Sequence, residues 1–203
     1  IVPLGYWVLE QSCRILADWQ RDGITIPLSV NLSGVQIQQR NFLLELKTLL
    51  SRYQIKPGML VLEITETARI DDLDRALKLL SELHHSGVSV ALDDFGMGYS
   101  SLNYLNRLRG LPINIIKIDR SFISSLPGDD LMVRIVSSIA GAMNISIIAE
   151  GVENAAQYQW LKDHDIPMAQ GYLFARPMPR NAFETLLRQG LPPAGLLPEE
   201  TGR

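Results

Sequence analysis

Short apolar, β-branched runs alternate along this chain with longer stretches whose apolar residues recur at intervals near 3.6. The runs at 26–32, 59–65, 88–93, 113–119, 145–150 and 167–173 predict strands, and the stretches at 42–53, 73–83, 131–143 and 155–161 predict helices. The chain opens inside an amphipathic segment that predicts a helix running to about Gln20. Asp71 and Asp72 place acid at the positive end of the helix over 73–83, and Gly87 closes it after His84 and His85 at the negative end. Pro127-Gly128-Asp129-Asp130 predicts a turn and a new helix start. These elements make one domain over 1–190, followed by a Pro-, Gly- and Glu-rich tail over 191–203 expected to be flexible.

Six strand–helix units in succession predict a parallel α/β fold, either a doubly wound sheet or a (β/α) barrel. The polar residues separate the two. Asn31 ends the first strand, Glu63 lies near the end of the second, and Asp93 and Asp94 end the third. Lys117 and Asp119 end the fourth, Glu150 the fifth, and Gln170 sits in the sixth. A polar group at the carboxyl end of every strand describes the rim of a barrel, whereas a doubly wound sheet concentrates such groups near one switch point. The expected fold is a TIM-type barrel.

Asp93-Asp94 is the sharpest of these features, because two adjacent carboxylates follow the apolar run 88–92. Carboxylates in apolar surroundings are costly and two of like charge repel; a divalent cation relieves both penalties. Glu63, between Leu62 and Ile64, and Glu150, after Ile148 and Ala149, repeat the pattern. Each residue has a plain structural explanation by itself. Asp-Asp caps helices, Asn31 fits a turn, and Lys117 shares a strand face with Asp119 and can pair with it. Four carboxylates, an amide and a lysine on one rim are hard to explain as packing. Carboxylates and an amide without a His or Cys cluster suggest Mg²⁺ or Mn²⁺, and two such ions suit phosphodiester hydrolysis. Lys117 would stabilise negative charge or hold the attacking water. Trp7, Trp19 and Trp160 lie on amphipathic helices and are expected in a core or interface, while His164 is expected in a solvated turn.

Composition narrows the partners. Of 203 residues, 46% are hydrophobic and 20% charged, with a formal net charge of −3, which argues against a nucleic-acid polymer as partner. No run of about 18 apolar residues predicts a membrane span. Cys13 is the single cysteine, so an internal disulfide and a Cys-based zinc site are excluded, and a reducing, cytoplasmic setting is expected. The opening at Ile1, without an initiator methionine, reads as the inside of a larger protein.

At these residues the chain resembles the EAL-domain family, phosphodiesterases that cut the bacterial second messenger cyclic di-GMP. The matching motifs are Ser29-Val30-Asn31-Leu32-Ser33, Leu62-Glu63-Ile64-Thr65-Glu66, the run 93–101, Ile116-Lys117-Ile118-Asp119-Arg120, Ala149-Glu150-Gly151-Val152-Glu153 and Gln170-Gly171-Tyr172, in family order. The resemblance implies a TIM-type barrel, two Mg²⁺ or Mn²⁺ ions and a linear product, pGpG. By position, Asn31, Glu63 and Asp93 would bind one ion, and Asp93 would bridge to a second served by Asp94 and Glu150. Lys117 would contact the hydrolytic water, and Gln170 would help order the same site. Glu66 would brace the loop 96–101, which in the family couples dimer contacts to the metals. A homodimer, further signalling domains upstream and a cytoplasmic location, free or as part of a membrane-anchored protein, are implied with it.

Three departures matter. The Glu-Ala-Leu motif, its strand and the Arg that follows it are absent, so two strands of eight are lacking and residues upstream of Ile1 are expected to supply them. Met97 stands where the family has a small or polar residue, and Arg109-Gly110-Leu111 reads as a short insertion in the dimerisation region. The alternatives are a degenerate EAL domain that binds cyclic di-GMP or a protein without cleavage, and an unrelated Mg²⁺-dependent barrel enzyme.

Overall fold

The computed structural model describes residues 1–65, 73–97 and 110–189, with residues 73–76 described as backbone only. Its helices and strands alternate as the hydrophobic pattern predicts. The chain divides into two compact units, Ile1–Lys117 with Ala140–Ser146, and Ile118–Ile139 with Ile147–Arg203.

In the first unit, α1 (Val2–Arg21) leads to β1 (Leu28–Asn31), α2 (Gly34–Ile37), α3 (Phe42–Arg52), β2 (Leu60–Thr65), α4 (Leu73–His85), β3 (Ser89–Phe95) and β4 (Ile115–Ile118). Leu9, Cys13, Leu16 and Trp19 of α1 recur at three- and four-residue intervals and are all buried, making the stripe that packs toward β1 and α3. Burying each leucine stabilises by about 1.5–3 kcal/mol. Burial also pushes the Cys13 thiol up to about 11, with Glu10 adding to the shift, so the sulfur stays protonated. Trp19 is core as expected, but Trp7 is 59% exposed on the first turns of the same helix.

The strands β1, β2, β3 and β4 are neighbours in chain order, and the β1–β2 and β2–β3 pairs are parallel. Four strands taken up in one direction, without reversal, follow the connectivity of a barrel rather than of a doubly wound sheet. Residues 60–64 of β2 are all buried, so this strand is covered on both faces, which accounts for its continuous apolar run. Glu63 lies within that run.

The second unit contains α5 (Arg120–Ile123), most of α6 (Leu131–Met143) and of β5 (Ser146–Glu150), α7 (Ala155–Asp163), β6 (Met168–Gln170) and α8 (Arg180–Gln189). β5 and β6 are parallel. Several element ends differ from the prediction, two of the strand ends for a visible local reason. β4 stops at Ile118 because the Asp119 side chain caps α5, accepting from the Ser121 N–H at 2.9 Å. β6 stops at Gln170 because the chain then hooks back, Leu173 N–H donating to the Val152 carbonyl at 3.0 Å. β3 runs on through Asp94 to Phe95. The helices α2, α5 and α8 lie outside the predicted elements; α8 is amphipathic, but none of its residues is buried.

His84 and His85 end α4 as expected, with Gly87 at φ 76° beyond them. His164 is exposed at the end of α7, stacked on Trp160 with ring centroids 3.7 Å apart. The helix start at Asp71 and Asp72 and the tail over 191–203 lie outside the described residues.

Candidate active site

Strand register brings the first group of polar residues together. Asn31 is the partner of Glu63 across β1 and β2, and Glu63 is the partner of Ala91 across β2 and β3. Side chains two residues apart share a face, so Asp93 projects on the same side as Ala91 and therefore as Glu63 and Asn31. Lys117 reaches this face from β4. Its Nζ lies 2.8 Å from Glu63 Oε2, to which it donates a hydrogen bond, and 2.9 Å from Asp93 Oδ1. Asp119, the same-strand neighbour with which Lys117 could pair, caps α5.

Burial is uneven, with Asn31 exposed at the end of β1 and the charges beside it shielded. Glu63 is 8% and Lys117 4% exposed, and Asp93 is half-buried. One lysine beside two carboxylates leaves a local charge of −1 on the face. Asp93 Oδ1 is buried and ion-paired to the Lys117 ammonium at 2.9 Å, and among the described residues it accepts no hydrogen bond. Two carboxylates sharing one ammonium in an oxygen-lined site are the environment a hard divalent cation relieves.

Asp94 adds a second carboxylate through an unusual backbone. Adjacent strand residues ordinarily point to opposite faces. Asp94 sits at φ 55°, in the left-handed region that Asp visits more readily than most residues, and the alternation is broken there. Asp93 and Asp94 consequently present carboxylate oxygens within 4.8 Å of each other. Gly96 at φ 98° then turns the chain, and Met97 is 61% exposed at the last described position of that loop. Glu66, residues 98–101 and Arg109 lie outside the described residues.

In the second unit, Glu150 and Gln170 are register partners at the ends of β5 and β6, half-buried and exposed respectively. The segments leaving both strands are locked together. A Cβ on Gly171 would meet the Val152 carbonyl oxygen at 2.1 Å and its nitrogen at 2.3 Å, so only glycine permits this backbone approach. Gly171→Ala is expected to destabilise the protein by about 1–3 kcal/mol, lowering Tm by roughly 2–12 °C. An unchanged thermal unfolding curve would show that the hook at Gln170 does not depend on this approach. The Arg120 stem lies over Gly151, next to Glu150, and its guanidinium pairs with Glu153.

Two glutamines escaped the sequence reading. Gln36 and Gln157 are 3% and 4% exposed, and each closes a capping box, with Ser33 after β1 and with Asn154 after β5. The spacing of the Ser33–Gln36 and Asn154–Gln157 pairs was the available signal.

A sequence model of the EAL domain matches residues 1–177. Among curated relatives, the chain is 38% identical over 187 residues to the cyclic di-GMP phosphodiesterase PdeR of Escherichia coli, covering 91% of this chain and 28% of PdeR. It spans about a quarter of the length of the curated relatives it matches, 23%, 26% and 28% of three of them. Among solved structures, the EAL domain of Mycobacterium smegmatis DcpA superposes with a TM-score of 0.87 at 37% identity, over 94% of this chain and 86% of that one. The PaMucR phosphodiesterase in its c-di-GMP complex superposes at 0.80, again at 37% identity, over 90% and 80% of the two chains. No helix among the described residues is long and apolar enough to cross a membrane. With its strand order and this likeness in sequence and structure, the chain belongs to the EAL domain family and has that family's TIM-type α/β fold.

Proposed function

We propose that this protein hydrolyses cyclic di-GMP to linear pGpG with two divalent cations. The observation that carries the reading is the Asn31–Glu63–Asp93–Lys117 face, where two carboxylates share one buried ammonium. Asn31, Glu63 and Asp93 would hold one cation, and Asp93, Asp94 and Glu150 are the candidate ligands for a second. The oxygen-only donor set favours Mg²⁺ or Mn²⁺. When bound, such ions polarise phosphoryl oxygens and make hydroxide available near neutral pH.

The chain's own residues do the remaining work. Lys117 Nζ, set by Glu63 and Asp93, orients the attacking water and offsets the negative charge that grows on the phosphodiester. The water oxygen bonds to one phosphorus as the P–O3′ bond breaks; one of the water's protons ends on the departing O3′ and the other is released to solvent, leaving pGpG. Gln170, register partner of Glu150, orders the same site. The working form is a homodimer in the cytoplasm, within a longer signalling protein.

The test is incubation of the protein with cyclic di-GMP and Mg²⁺ or Mn²⁺, followed by chromatography. The expected result is stoichiometric pGpG, abolished by EDTA and restored by excess Mn²⁺. Binding of cyclic di-GMP without pGpG under either metal would instead make the protein a receptor.

A further inference from the structure

We infer that Gln36 is a positioning residue for Asn31 and that Gly5 of α1 makes the slot in which it works. The inference rests on the assignment of Asn31 as a metal ligand. Asn31 is the last residue of β1, and the chain leaving it is pinned twice. Leu32 N–H donates to the Glu63 carbonyl at 2.8 Å. Ser33 then turns into α2, its N–H and Oγ both donating to Gln36 Oε1, at 3.3 and 3.0 Å, while Gln36 N–H donates to Ser33 Oγ at 3.3 Å.

In this capping box Ser33 is half-buried, and the Gln36 side chain is buried against α1. A Cβ on Gly5 would lie 1.9 Å from Gln36 Nε2, 2.3 Å from its Cδ and 2.6 Å from its Oε1, so the carboxamide fills the space that glycine leaves. α2 is only four residues long and gains little from being capped. Burying an amide is unfavourable unless its bonds are made. What the glutamine secures is the segment two residues beyond Asn31, and with it the direction in which the Asn31 carboxamide leaves the strand. The relation is that of an outer group that orients a ligand without touching the ion.

Calorimetric titration with Mn²⁺ alone, beside thermal unfolding of the same samples, tests this. Gln36→Met keeps the volume and removes the acceptor; Mn²⁺ affinity is expected to fall about 10–100-fold. Gln36→Glu retains the acceptor that a capping box uses and should return affinity to within about threefold of the parent. Gly5→Ala adds a better helix former to α1, which offsets part of the cost of displacing the buried carboxamide, so it should show the same loss of affinity with a smaller loss of Tm than Gln36→Met. That combination separates positioning from a merely structural role. If Gln36→Met does not fold, Gly5→Ala decides alone. Parental Mn²⁺ affinity in folded Gln36→Met or Gly5→Ala, with Asn31→Ala weakened, overturns the inference and leaves the metal assignment standing. Parental affinity in Asn31→Ala overturns both.

Discussion

Asp93→Asn is expected to lower cyclic di-GMP turnover by at least roughly 10³-fold while the protein stays folded. Removing a single preorganised electrostatic group from an active site costs about 10²–10³-fold, and the carboxylate proposed here serves two ions at once. The substitution is nearly isosteric, and Lys117 keeps its hydrogen bond to Glu63 Oε2, so the buried ammonium is not left alone. The stability change should therefore be within about 1 kcal/mol. Single-turnover hydrolysis at saturating Mn²⁺, paired with a thermal melt, reads both quantities. Near-parental turnover would remove Asp93 from the shared position and with it the two-ion assignment.

Lys117→Met should have the largest effect on stability. The substitution leaves Glu63, 8% exposed, and Asp93 without the cation between them. Breaking a buried ion pair from one side costs about 3–5 kcal/mol, because the remaining charge is desolvated and unpaired. For a chain of this length that lowers Tm by roughly 6–20 °C. Urea denaturation of the metal-free protein measures the loss. Adding Glu63→Gln to the variant should recover part of it, because one buried charge then disappears. Saturating Mn²⁺ should also recover part of it, since a bound cation takes over the neutralising role and stabilises the folded state by mass action. A loss below about 1 kcal/mol would mean that the Lys117 ammonium contributes little to holding the two carboxylates in place.

Both expectations depend on pairings that local sequence could suggest but not assign. Lys117 has an acid two residues away on its own strand, and same-face spacing makes Asp119 the obvious partner. The folded chain uses Asp119 to cap α5 and sends Lys117 to Glu63 and Asp93 on other strands. Gln36 likewise carries no local mark of its burial. Its burial depends on a glycine in α1, 31 positions earlier, whose missing side chain makes room for it.

What the amino-acid sequence determined by itself is local and periodic. The alternation of strands and helices follows from apolar spacing, and most elements start and stop within a few residues of where capping residues and glycines place them. The identities of the site residues were legible for a related reason. A carboxylate inside an apolar run is conspicuous because it is expensive, and Glu63, Asp93 and Glu150 all announce themselves that way. The tertiary structure alone decided which charges meet, because the β1–β2 and β2–β3 registers set Asn31 beside Glu63 and Asp93 on one face. It also decided that two consecutive aspartates bring their carboxylates together, through a left-handed residue at Asp94 that no strand periodicity predicts. Backbone conformations of that kind persist only where surrounding contacts hold them, and those contacts exist only once the chain has folded.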